Sequence, residues 1–315
     1  MPPDLSSTAF VFPGQGSQKV GMGRALAQAE PAAAAVFAEA DEVLGVSLSK
    51  LCWDGPEAEL NDTVNTQPAL LVHSVAVLRA LEGRGLHTSP AFAAGHSLGE
   101  FSALVASGAL TFREALRLVR ARGLAMKAAG ESNPGGMAAV LGLDVEVVDA
   151  ACRQAREATR QAVEVANDNC PGQVVISGAE PALAAAGEIL KGLGARRVVR
   201  LAVSIAAHSS LMASAQQTFG AVLEKAQVAE PRLTVIGNVQ ASPLRSAQEI
   251  RVDLEAQLTS RVRWTESIRT MVTSGVTRFF EIGTGEVLSG LIRRTDPSVQ
   301  AAAVDLPESF APLLG

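Results

Sequence analysis

The five residues Gly95-His96-Ser97-Leu98-Gly99 constrain this chain more than any other stretch. They fit the pattern G-x-S-x-G. The apolar run Ala91-Phe92-Ala93-Ala94 before them predicts a short buried strand, and the residues from Leu98 to about Ala106 predict a helix. Strand, sharp turn and helix form the context of a nucleophile elbow. A serine at the tip of such a turn takes a strained backbone angle, and side chains on its neighbours would collide with the next strand or helix. Glycine removes those collisions. The hydroxyl then points out of the sheet, at a helix N-terminus with unsatisfied N–H groups.

The rest of the chain carries the same alternation. Ala9 to Pro13 predicts a first strand, followed by the loop Gly14-Gln15-Gly16-Ser17-Gln18. Helical patterns cover Pro31 to Leu44, Gln67 to Leu81 and Thr111 to Ala128, and Thr111 with Glu114 has capping-box spacing. Arg278 to Ile282 predicts another strand, before Gly283-Thr284-Gly285 and a helix from Glu286. Such alternation indicates a mainly parallel α/β sheet. With the elbow, the large domain is predicted to be α/β-hydrolase-like.

The middle differs. Short apolar runs at Gly136 to Leu143, Ala162 to Ala166, Val174 to Ser177 and Arg197 to Leu201 are separated by helical patterns at Val145 to Ala158 and Pro181 to Leu193. The order strand-helix-strand-strand-helix-strand is that of a ferredoxin-like unit. We therefore expect a large domain of residues 1–131 and 204–315, with residues 132–203 as an inserted ferredoxin-like subdomain. A cleft between the two is a natural substrate site.

Composition limits the chemistry. Of 315 residues, 48% are hydrophobic and 19% charged, enough for a large core. Lysine and arginine total 27 against 32 aspartates and glutamates, a net charge of −5 that gives no global reason to bind nucleic acid. Cys52, Cys152 and Cys170 have no paired or metal-ligand spacing, which fits a reducing compartment. No signal peptide or membrane span is evident, so the expected location is the cytoplasm.

A serine hydroxyl needs a base. The four histidines are His73, His87, His96 and His208. His96 adjoins the serine but points elsewhere on the turn. His73 lies within an apolar helical pattern and reads as structural, and His87 sits in an exposed Gly-rich turn. His208 lies in a small-residue loop, Val203-Ser204-Ile205-Ala206-Ala207-His208-Ser209-Ser210, just past the insert and before a helix. By elimination it is the candidate base. No carboxylate identifies itself as a third member. The loop around Gln15 is either a simple glycine turn or a source of backbone N–H that, with Leu98, forms an oxyanion hole. Lys19 stands where a dinucleotide fingerprint needs its last glycine. Arg122, taken alone, reads as a solvated helix face.

Taken together, these segments resemble the malonyl-CoA:acyl carrier protein transacylase family. The resemblance rests on Phe12-Pro13-Gly14-Gln15-Gly16-Ser17-Gln18, Gln67-Pro68-Ala69, Gly95-His96-Ser97-Leu98-Gly99-Glu100, Arg122-Gly123, Gly136 to Val140, Asn167 to Gly178, Ala207-His208-Ser209, Gln257 with Val262 and Trp264, and Glu281-Ile282-Gly283, in the family's order. It implies that Ser97 carries the acyl group, that His208 is its base, and that the Gln257 backbone carbonyl orients the imidazole. It implies an oxyanion hole from the N–H groups of Gln15 and Leu98, and Arg122 as the clamp for a malonyl carboxylate. The implied reaction is ping-pong, from malonyl-CoA to the phosphopantetheine thiol of holo acyl carrier protein. No metal or other cofactor is needed, and a monomer is expected.

Leu98 fits malonyl-using members, while the small Ile205-Ala206-Ala207 stretch leaves a branched malonyl unit open. The basic groups Lys191 with Arg196-Arg197-x-x-Arg200, and Arg293-Arg294, are either solvated faces or carrier-docking patches. Two other readings share the elbow: a thioesterase-like serine hydrolase of acyl-CoA, and an idle acyltransferase-like binding module.

Overall fold

A computed structural model describes residues 4–86, 89–203 and 205–314. His87 and Ser204, both singled out above, lie outside the described residues. Among the described residues, ten strands fall into two sheets. The first sheet contains β1 (Thr8–Phe12), β2 (Phe92–Gly95), β7 (Thr234–Ile236), β8 (Pro243–Leu244), β9 (Arg278–Ile282) and β10 (Gln300–Val304). Its order is β10-β9-β1-β2-β7-β8, parallel except for β8. The second contains β3 (Gly136–Leu141), β4 (Val163–Cys170), β5 (Gln173–Gly178) and β6 (Arg197–Arg200), antiparallel in the order β4-β5-β3-β6. With the helices Val145–Thr159 and Glu180–Gly192 on its outer face, this is the expected ferredoxin-like arrangement.

Strand β1 is buried throughout, and apolar from Ala9 to Phe12, because both faces of the parallel sheet are covered. Phe10 and Phe12 enter one core, and Ala9 and Val11 enter another. Burying each phenylalanine stabilises the fold by about 1.5–3 kcal/mol. In the second sheet, Ala138 and Val140 pack under the two helices while Met137 faces the main core. Helix Val145–Thr159 buries Val148, Ala151, Cys152 and Ala155, one stripe at helical spacing.

The second sheet is tied to the first body at a point that matters for the site. Asp168 N–H donates to the Val262 carbonyl (2.9 Å), and Val262 N–H donates to Ala166 (2.8 Å). Thr265 Oγ1 donates to Asp168 Oδ1 at 2.7 Å. Strand β4 is thereby locked to the segment that begins with Gln257.

The helix expected from Gln67 starts four residues earlier and spans Thr63–Gly83. Asp62 caps it, its side chain accepting from Val64 N–H at 3.0 Å. Pro68 then sits inside the helix without an N–H for the Val64 carbonyl. Arg120 Nη1 donates to that carbonyl at 2.9 Å, which explains why the proline does not end the helix. Three strands were not foreseen. β7 has only three residues, β8 two, and the sequence Gln-Ala-Ala-Ala-Val of β10 lacks the β-branched pattern; it is a strand because β9 offers it a parallel ladder.

Candidate active site

The site sits beyond the carboxyl ends of β1 and β2, where ligands of open α/β sheets gather. Phe12 pairs with Gly95, and His96 N–H continues the ladder to the Phe12 carbonyl at 3.0 Å. The Gln15 loop is thereby set against the elbow. The glycines are there for want of room. A Cβ on Gly95 would lie 1.9 Å from Gly99 C, one on Gly99 would lie 2.1 Å from the Phe12 carbonyl oxygen, and one on Gly14 would lie 2.4 Å from the His96 oxygen.

Ser97 has φ 50°, in the left-handed region, and His208 has φ 60°. Such strain costs roughly 1–3 kcal/mol per residue and persists only where surroundings enforce it. For Ser97 the enforcer is Asn238. Its Oδ1 accepts from Ser97 N–H at 2.7 Å, and its Nδ2 donates to the Gly95 carbonyl at 2.7 Å, bracketing the elbow from both sides.

Ser97 Oγ lies 2.8 Å from His208 Nε2, and His208 Nδ1 lies 2.8 Å from the Gln257 backbone oxygen. A carbonyl only accepts, so Nδ1 carries the proton and Nε2 presents its lone pair to the serine hydroxyl. Burial, and secondly the Arg122 charge, pull the His208 pKa from 6.5 down to about 3, so the imidazole is neutral at physiological pH.

Arg122 is only 1% exposed, which overturns its reading as a solvated residue. It lies in the middle of the helix Phe112–Ser132, which runs further than its pattern suggests and turns this side inward. Its Nη1 donates to Gln67 Oε1 (2.9 Å), and its Nη2 to Gln257 Oε1 (2.8 Å) and Ser97 Oγ (3.1 Å). The guanidinium stands 5.9 Å over the Phe101 ring. Burial lowers its pKa to about 10, with the nearby Glu100 opposing, so it stays charged at neutral pH. Among the described residues it has no ion-pair partner. A buried, unpaired cation costs free energy unless a ligand supplies the missing charge.

The space in front of Ser97 is a cavity of about 190 Å³. Gln15, Leu98, Arg122 and His208 line it from one body, and Met137, Asn167, Asn169 and Val175 from the second sheet. Among the described residues, neither the Gln15 nor the Leu98 backbone N–H has a hydrogen-bond acceptor. His96, beside the serine, bonds Asn169 Oδ1 through Nε2 at 2.8 Å and rests against Trp264. His73 is fully buried, its Nε2 2.8 Å from Asp305 Oδ1.

The geometry thus brings together Ser97, His208, Gln257, Arg122, Gln15 and Leu98. Sequence reasoning missed Asn238 and left Gln67 without a role. Gln67 lies in a segment that had drawn attention; Asn238 follows a three-residue strand and carries no local signal. The Gln257 side chain, which reaches Arg122 while its backbone reaches His208, was also unforeseen. Such an arrangement is equipped for acyl transfer through a serine ester.

Comparison with known proteins points the same way. Residues 9–306 match the acyl transferase domain family, to which the chain belongs. It is 44% identical to the malonyl CoA-acyl carrier protein transacylase of Bacillus subtilis over 306 residues, covering 97% of this chain and 96% of that protein. It is 42% identical to the protein of that name from Escherichia coli K12, covering 98% and 99%. Among solved structures, it superposes with a TM-score of 0.95, at 44% identity, on a malonyl-transacylase in complex with its type II PKS acyl-carrier protein, covering 98% of this chain and 99% of that one. An acyl carrier protein S-malonyltransferase from Vibrio cholerae gives 0.94 at 42% identity, covering 98% and 100%.

Proposed function

We propose that this enzyme moves a malonyl group from coenzyme A to the phosphopantetheine thiol of an acyl carrier protein, with Ser97 as the acyl carrier. The observation that carries the reading is Arg122, a buried guanidinium without a carboxylate partner among the described residues, 3.1 Å from the candidate nucleophile. An acyl group ending in a carboxylate completes the site through charge-assisted hydrogen bonds; acetyl leaves the charge unpaired.

The steps follow from the atoms present. Ser97 Oγ attacks the thioester carbonyl while its proton passes to His208 Nε2. The N–H groups of Gln15 and Leu98 receive the oxyanion; one such donor is typically worth about 10²–10³ in rate. His208 then protonates the coenzyme A sulfur as the C–S bond breaks. In the second half the carrier thiol gives its proton to His208 and attacks the serine ester, and His208 returns the proton to Ser97. Arg122 has a second effect. Its charge helps depress the His208 pKa, so a carboxylate on Arg122 restores basicity to the imidazole when the right acyl group is bound.

We also propose residues 132–203 as the inserted unit, a monomeric state and a reducing, cytoplasmic setting. The three free, buried cysteines support that setting. Among the described residues, no helix is long and apolar enough to cross a membrane. The reading is tested by intact mass after incubation with malonyl-CoA, with and without holo carrier protein. A malonyl adduct on Ser97 that is discharged onto the carrier is expected. Free malonate as the main product, with no dependence on carrier, makes the enzyme a hydrolase instead.

A further inference from the structure

Glu100 ends the elbow segment, and the mechanism leaves it unused. It is the second residue of the helix Gly99–Ala106, fully buried, three positions after the nucleophile. Its Oε2 accepts from Gln257 Nε2 at 2.9 Å and from Asn238 N–H at 3.2 Å. Its Oε1 meets no N–H or O–H donor among the described residues. Against it stands Asp253 of the helix Ala247–Ala256, 5% exposed. Asp253 accepts from Asn238 N–H through Oδ2 and from Val239 N–H through Oδ1, both at 3.2 Å. One backbone N–H is thus shared between two carboxyl groups.

Glu100 Oε2 and Asp253 Oδ2 each lie 3.2 Å from that one nitrogen, and both carboxyl groups are buried. Two carboxylates offer four acceptor oxygens and no donor to each other, so two buried carboxyl groups converging on one N–H favour keeping a proton on one of them. Burial, and secondly the Asp253 charge, hold the Glu100 carboxyl well above the usual carboxylate range. Burial raises Asp253 as well. The charged groups acting on the pair are each other and Arg122, from the helix Phe112–Ser132; His208 is joined to it through the backbone of Gln257.

The pair touches both arms of the site. Through Gln257 it reaches Arg122 and His208, and through Asn238 it reaches the strained Ser97 turn. Arg122 is close enough to feel any charge on Glu100. An ionised Glu100 would hand Arg122 an internal counter-ion, and a substrate carboxylate would then have to compete with it.

Resting on the function proposed above, we propose that Glu100 is a positioning residue that carries a proton shared with Asp253, and that this proton keeps Arg122 unpaired for the carboxylate of the incoming acyl group. Asp253→Asn tests it. The new amide donates to Glu100, removes the need for the proton and leaves Glu100 charged. KM for malonyl-CoA should rise about tenfold, and the malonyl-over-acetyl preference in Ser97 acylation should fall by a similar factor. The double variant Glu100→Gln with Asp253→Asn has no carboxyl at either position, and should recover the preference to within about threefold of the parent. A purely structural pair gives a double variant no better than Asp253→Asn, and that result overturns the proposal.

Infrared spectroscopy of the unaltered enzyme at neutral pH gives a reading that does not depend on Asp253→Asn folding. A protonated-carboxyl C=O band that disappears in Glu100→Gln is expected, and its absence from the unaltered enzyme overturns the proposal. If the unaltered enzyme takes no malonyl onto Ser97, the functional reading itself fails; if it does, these results judge the proton alone.

Discussion

At the scale of single residues, three side chains share one electrostatic problem. Arg122 needs a negative charge, His208 must stay neutral, and Ser97 lies between them. The depressed pKa of His208 sets the pH behaviour. In the free enzyme the proposed base stays neutral down to about pH 3, so kcat/KM for formation of the acyl-serine, which reports the free enzyme, should stay flat from pH 8 to about 5, as measured by rapid-quench mass spectrometry at limiting malonyl-CoA. A decline centred near 6.5 would show an ordinary imidazole. Stability runs on the same proton. Above pH 6.5 both folded and unfolded states hold His208 neutral. Between 6.5 and about 3 only the unfolded state takes up a proton, so folding stability falls as the pH falls. His208→Gln should flatten that part of the denaturation profile. Free malonate, by neutralising Arg122, should raise the His208 pKa seen by NMR, whereas acetate at equal concentration should not.

The elements decide whether those residues can meet, and here local chemistry was readable to different depths. The elbow could be read because its glycines answer a steric demand: a Cβ at Gly99 would sit 2.1 Å from a carbonyl oxygen. Gly99→Ala should therefore lower stability by about 2–3 kcal/mol and displace the serine, measurable as a lower denaturation midpoint with a loss of acylation. Thr111 was legible as a cap because its side chain accepts from Glu114 N–H, at 3.2 Å, a bond between near neighbours. The burial of Arg122 was not legible. It depends on Gln67, Ser97 and Gln257, brought in from other elements, and nothing in the pattern around Leu118 to Gly123 announces them. Asn238 was hidden for the same reason, since its partners Gly95 and Ser97 are 143 and 141 positions away.

For the whole molecule, the two-sheet plan could be read from the order of strands and helices, while the docking of one sheet on the other could not. That docking combines backbone hydrogen bonds between β4 and Val262, which any sequence can make, with a Thr265–Asp168 side-chain bond between residues 97 positions apart. It gives the cavity walls from both bodies. On the outer edge of the second sheet, Arg196 and Arg197 are exposed, while Lys191 pairs with Glu188 and Arg200 with Glu180. If this edge receives an acidic carrier protein, charge reversal at Arg196 and Arg197 should raise KM for the carrier several-fold and leave KM for malonyl-CoA unchanged. Equal changes in both would remove the edge from consideration.

The central claim, that a buried unpaired guanidinium selects the acyl group, is tested most directly by the rate of Ser97 acylation from malonyl-CoA and acetyl-CoA in the unaltered enzyme and in Arg122→Ala. Loss of the charge-assisted pairing should cost malonyl about 3 kcal/mol, roughly a hundredfold, while acetyl is unchanged or faster. An equal loss for both acyl groups, or an unaltered malonyl preference, would contradict the account.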